Sequence, residues 1–250
     1  MFKSWRLGSI LGFPIEINFS FVLLLGLVFV AFGGILGVAV VLCAFASVVL
    51  HELGHALVAR HLGVRVSGIE LSFFGGAAKM VQLPRTANHE LAIAAAGPAV
   101  SLALGGIGLG LGAITHVSLF AWLGWTNLIL AGFNLIPALP MDGGRILRAL
   151  LTRKLDFVRA TDVSVTISRA VAVGFGVLGL MGAYQLLVLA PLLWLMGTRE
   201  RMLARMMADQ YVATSDGYRQ RHSEPTNFRA PRHFAIRQVN GRLAIIFDEP

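Results

Sequence analysis

His51, Glu52 and His55 are the residues best equipped for chemistry in this chain. Two histidines four positions apart share one face of a helix, so both imidazoles can reach a single metal ion. Glu52 falls on the adjoining arc, near enough to activate a water at that metal without being a ligand itself. Two imidazoles and a carboxylate in this order make the pattern of a zinc-peptidase helix. The trio lies in the apolar run from Ile35 to Ala59, where Cys43 is the only other ionisable side chain. Ionisable groups at mid-membrane cost about 2.5–3.5 kcal/mol each and are rare there unless functional. A lone histidine in such a run would read as a hydrogen-bonded packing residue; three ionisable groups at this spacing do not.

The elements that must position them belong to a membrane protein. Of 250 residues, 56% are hydrophobic and 14% charged, and mean hydropathy is +0.73. Soluble domains carry about 25% charged residues. The composition therefore predicts an all-α polytopic membrane protein with the lipid bilayer as its surroundings. The net charge of +8 does not imply nucleic acid, because the basic residues group between apolar spans, where they set orientation. Cys43 is the only cysteine, which excludes an internal disulfide. No cleavable signal is expected, since the apolar run after Lys3 and Arg6 continues into a second span.

Met1 to Glu16 reads as a short amphipathic lead-in at the headgroup level. No charge occurs from Phe19 to Leu50, more than one span requires, so the run is expected to fold back at Gly33-Gly34. That gives spans at about 13–32 and 35–62. Gly63 to Pro84 alternates Ile69, Leu71 and Phe73 with Glu70 and Ser72 and then breaks at Phe74-Gly75-Gly76. This predicts a small re-entrant β-hairpin, with an ordinary connector as the alternative. Further spans are expected at about 91–114 and 119–136, then 162–182 and 183–197, with a basic interfacial helix over 145–159. Six spans put all 21 Lys and Arg residues on one side, whereas five would leave a basic tail outside. The expected placement is a multi-pass cell-membrane protein with both termini cytoplasmic. The expected domains are a transmembrane domain over 1–200 and a short soluble tail over 201–250. In the tail, Asn240-Gly241 between two alternating runs predicts a second hairpin.

In this topology the second and fourth spans end at the same membrane face, which brings Asp142 to the depth of His51 and His55. Asp142 is the only acidic residue between Glu90 and Asp156 and so is the natural third ligand. Its alternative is an N-cap for a helix beginning at Gly143. Zinc polarises a peptide carbonyl and lowers the pKa of water, and Glu52 would carry the proton to the leaving amine. A substrate helix must unwind to be cut. The Gly63–Pro84 hairpin, with Phe74, Gly75 and Gly76 as candidate substrate contacts, could hold it by strand addition.

With these motifs the sequence resembles the site-2 protease family of intramembrane zinc metalloproteases. The resemblance rests on His51-Glu52-Leu53-Gly54-His55, on the segment from Asn134 through Pro137 and Pro140 to Asp142-Gly143, on Gly75-Gly76, on Gly97-Pro98, and on Leu11 to Ile15. It implies one zinc ion held by His51, His55 and Asp142, Glu52 as base, and Asn134 helping to position substrate. It also implies cleavage within or beside a transmembrane helix of a membrane-protein partner, often to release a regulator. The chain departs from the family at Ser101, where members often carry Asn, and near Asn18, where His is common; neither departure is expected to touch a ligand. The other classes consistent with the residues are a non-catalytic zinc-holding membrane module or chaperone and, less well, a metal transporter.

Overall fold

A computed structural model describes residues 4–31, 34–73, 75–81, 84, 86–223, 234–239 and 242–247, with side chains as far as Met206. Two compact units are distinguished, Met1–Arg205 and Met206–Pro250. The chain is mostly helical, but it is not all-α. The first unit opens with β1 (Ser4–Ile10) and β2 (Phe13–Asn18), an antiparallel hairpin turned by Leu11 and Gly12, both at positive φ. Helices α1 (Phe19–Ala31) and α2 (Ile35–His61) follow, then the antiparallel pair β3 (Val66–Ser72) and β4 (Gly75–Met80). β2 and β3 pair in parallel, Ile15 against Ile69 and Ile17 against Leu71, so all four strands form one sheet in the order β1-β2-β3-β4.

The expected lone hairpin is thus half of a sheet, and the lead-in of the first 16 residues is the other half. The physical reason is alternation. Phe13, Ile15 and Ile17 face Phe21, Leu53 and Ala56 in one core with Ile69 and Leu71. Glu16 and Glu70 turn to the opposite face, where Lys79 Nζ lies 3.0 Å from Glu16 and 2.7 Å from Glu70. Lys79 holds the Glu16 carboxyl below the usual carboxylate value of 4.5. The first helix begins only at Phe19, and its 13 residues span about 20 Å, short of a hydrocarbon layer of about 30 Å.

Beyond the sheet come α3 (Ala87–Thr115), α4 (Ser118–Asn134), α5 (Asp142–Leu151), α6 (Phe157–Leu180) and α7 (Gln185–Ser223). The basic 145–159 segment is not one helix: α5 stops at Leu151 and α6 starts after Asp156, whose side chain accepts from Arg159 N–H. Among the described residues three helices are long and apolar enough to cross a membrane, α2, α3 and α6. α3 and α4 approach closely because Gly105, Gly108 and Gly124 face one another, and a Cβ on any of them would overlap the facing helix. In the second unit β5 (Phe234–Val239) and β6 (Arg242–Phe247) pair antiparallel. The turn expected at Asn240-Gly241 lies outside the described residues.

Candidate metal centre

α2 is apolar from Ile35 to Leu50 apart from Ser47 and carries His51 and His55 one turn apart in its second half, where both are buried. α3 passes alongside. It can do so because Gly54 on α2 and Gly97 on α3 lack side chains: a Cβ at Gly54 would meet Val100 and the Ala96 carbonyl, and one at Gly97 would run into Nε2 of both histidines. α3 also fixes the rings. His55 Nδ1–H donates to the Ile93 carbonyl at 2.6 Å, and His51 Nδ1 lies 2.9 Å from Ser101 Oγ. Each imidazole is therefore held through Nδ1, which leaves Nε2 to face inward.

Asp142 comes from the other side. After α4 the chain folds tightly through residues 135–141, with a cis Leu139–Pro140 peptide, and Leu139 N–H donates to Ser168 Oγ on α6 at 2.7 Å. Gly143 and Gly144 let α5 start directly against this fold, because Cβ atoms there would overlap the carbonyls of residues 135, 136 and 138. Asp142 is the first residue of α5, not its cap; Met141 holds the cap position and makes no side-chain capping bond. Its Oδ2 lies 3.0 Å from His51 Nε2 and 3.1 Å from His55 Nε2, and the two Nε2 atoms are 3.2 Å apart. A tetrahedral zinc with bonds of about 2.0–2.1 Å needs donor atoms roughly 3.3 Å apart, so this triangle fits the ion. Two neutral imidazoles and one carboxylate also match zinc in donor type.

The Glu52 carboxylate is within 4.8 Å of the ring nitrogens of both histidines, close enough to be counted as a fourth donor. Its Oε2, however, accepts from Ala78 N–H at 2.8 Å, which holds it against β4 and off the triangle. A cavity of about 190 Å³ opens here, lined by Glu52, His55, Gly76, Ala78, Asn134, Asp142 and Arg145 among others. The structure thus brings together His51, Glu52, His55, Asp142, Asn134 and Gly76. Asn134 Nδ2 donates to the Leu130 carbonyl of its own helix at 3.0 Å. Gly75 begins β4 at positive φ and is not on the cavity wall, and Phe74 lies outside the described residues.

Two contacts escaped the sequence reading. Ser101 does touch a metal-site residue, contrary to expectation, and its place four residues after Gly97 on one helix face was the available signal. Arg148 is buried and ties α5 to two other helices: its Nε donates to Glu90 Oε1 at 2.9 Å and its Nη1 to Glu200 Oε2 at 3.1 Å. Nothing in the spacing of residues 90, 148 and 200 announces that cluster. Asn18, the other departure, stays away from the ligands; its Nδ2 donates to Glu70 Oε1 at 3.1 Å.

The sequence pattern of peptidase family M50 matches residues 39–116 and 111–175, which include every residue of the triangle. The chain belongs to this family. Among M50 relatives, a zinc metalloprotease of Methanocaldococcus jannaschii is 37% identical over 205 residues, covering 79% of this chain and 60% of the relative. A putative zinc metalloprotease of Synechocystis is 38% identical over 210 residues, covering 75% of this chain and 54% of the relative. The chain thus spans little more than half the length of these curated relatives. A solved structure, the site-2 protease from M. jannaschii, superposes with a TM-score of 0.62 at 36% identity, over 80% of this chain and 95% of that one. The buried His51-Glu52-His55 group and the zinc metalloprotease relatives agree on zinc as the metal.

Proposed function

We propose that this M50 chain is an intramembrane zinc endopeptidase that cuts membrane-protein substrates within or beside a transmembrane helix. The observation that carries the reading is Asp142 Oδ2 at 3.0 and 3.1 Å from two Nε2 atoms, beside a cavity that also holds Glu52. His51, His55 and Asp142 would hold the ion, which would supply polarisation of the scissile carbonyl and a lowered pKa for water. Glu52 takes the proton of the attacking water and delivers it to the leaving amine. Ala78 N–H keeps Glu52 aimed from the strand side while it waits.

β4 supports the substrate assignment. Ala78 N–H points away from β3 towards Glu52, so in a regular strand the N–H groups of Gly76 and Met80 point the same way. Both residues line the cavity. An unwound substrate segment adds to this edge through backbone hydrogen bonds, which demand an extended conformation and little sequence. Asn134 also lines the cavity, where its side chain would bear on the same segment.

Six crossings agree with the helix order. β2 and β3 are neighbours, so α1, shorter than a full hydrocarbon layer, and α2 would go out and back between them, and α3/α4 and α6/α7 would supply two further pairs. Both termini are then cytoplasmic, in keeping with the basic residues between spans. Glu52→Gln is expected to retain one zinc per chain and to lose cleavage of a co-expressed membrane substrate by at least ~100-fold. Wild-type cleavage by that variant would end this reading.

A further inference from the structure

Among the described residues Arg145 is a charged side chain without a direct ion-pair partner. It sits one turn after Asp142 on α5, half-buried, on the wall of the cavity that holds Glu52 and Asp142. Arg65, Lys154 and Arg199 are exposed, and the other buried or half-buried cations of the first unit have evident partners, the Trp194 ring in the case of Arg169. Arg148 has Glu90 and Glu200, Lys79 has Glu16 and Glu70, Arg201 has Asp162, and Arg60 donates to the Leu11 carbonyl over the Phe13 ring. Among the described residues no carboxylate lies within ion-pair distance of Arg145; its one polar contact is the Met80 sulfur, 4.0 Å from Nη2. A guanidinium carries five N–H donors, and burying them unused is costly.

Peptide hydrolysis creates a demand that matches this surplus. When water adds to the scissile carbonyl, the C–O π pair moves onto oxygen and leaves an oxyanion. That pair returns as the C–N bond breaks and Glu52 passes its proton to nitrogen. Donors aimed at the developing charge are worth most in a site shielded from water. Of the other donors on the cavity wall, His55 Nδ1–H is committed to Ile93 and Ala78 N–H to Glu52, Asn134 Nδ2 spends one of its two hydrogens on Leu130, and the Gly76 and Met80 N–H groups face the substrate edge; none of these carries a positive charge. We infer that Arg145 is a catalytic residue whose guanidinium stabilises the oxyanion formed on the scissile carbonyl. This rests on the peptidase reading and assigns the site a second charge-stabilising group, a protein cation beside the polarisation that a bound metal would supply.

The test uses the purified, zinc-loaded full chain in detergent micelles, with fluorescently labelled casein as the probe substrate and a phosphinic peptide as the anionic tetrahedral mimic. Arg145→Met should keep one zinc per chain, lower kcat by ~100–1,000-fold with KM within about threefold of wild type, and bind the phosphinic peptide about 100-fold more weakly. An uncharged peptide amide of the same sequence should bind both proteins alike. Arg145→Lys, which keeps charge but not the fork, should recover part of kcat and part of the phosphinate affinity. Equal phosphinate binding by zinc-loaded wild type and Arg145→Met overturns the assignment, whatever happens to casein. A chain that holds zinc and the phosphinate yet never cuts overturns the peptidase reading instead.

Discussion

Along α2, residues Ile35 to Leu50 turn Ile35, Leu36, Val40 and Leu42 outward, with Ile35 79% and Leu36 75% exposed. Residues His51 to Ala59 of the same helix bury His51, Leu53, Gly54, His55, Ala56 and Ala59. Both stretches are read as membrane sequence, yet they are specified differently. The outward side of the first half needs only to be apolar, because lipid tails are as good a neighbour as another side chain; its inner side carries one polar contact, Ser47 Oγ accepting from Asn127 Nδ2 at 2.9 Å. The second is set by close approach and by hydrogen bonds: glycines where α3 crosses, and one acceptor for each ring nitrogen that faces away from the triangle. In lipid, apolar burial does little to bring helices together, so small residues and polar contacts decide where they meet.

The contrast is open to direct attack. The largest effect is expected from Gly97→Ala, whose Cβ would occupy the space of both Nε2 atoms. Zinc affinity, read by chelator competition, should fall more than about 100-fold, beyond the 10–100-fold range for outer-shell partners. Retention of wild-type affinity would mean that α3 can retreat without loss. Ser101→Ala comes next. It removes the Oγ partner of His51 Nδ1 while leaving the fold of α3, so zinc affinity should drop by ~10–100-fold, and excess zinc should restore occupancy. If chelator titrations of Ser101→Ala and wild type superimpose, the serine is packing and nothing more. The smallest effect belongs to Leu36→Ala in the outward-facing half, where unfolding in micelles should shift by no more than about 0.5 kcal/mol and zinc binding not at all. A large loss there would erase the distinction between the halves.

What was legible in the sequence follows the same division. His51, Glu52 and His55 stood out because apolar surroundings make each ionisable group conspicuous, and Asp142 because no other acid lies near it in the chain. The break after Asn134 was legible from its prolines and glycines. The sheet was half legible: Ile69 to Ser72 alternates visibly, whereas Phe13 to Asn18 runs on into the apolar α1 and reads as the start of a span. Parallel pairing between β2 and β3 joins residues 54 apart, as Ile15 with Ile69, and no local period encodes that. Ser101 against His51 and Arg148 against Glu90 and Glu200 are contacts of the same kind, made by tertiary packing alone. Arg145 was visible as a residue but not as an unpaired one, since pairing is a property of the folded chain.

The order of the metal triangle along the chain has a consequence for biosynthesis. His51 and His55 are made well before Asp142, and four helices are complete before α5 begins. A nascent chain on the ribosome therefore presents the two imidazoles and Glu52 before the Asp142 carboxylate that completes the triangle exists. The three donors of the triangle can meet only after the segment following α4 has been made, so the site is among the later parts of the first unit to be completed.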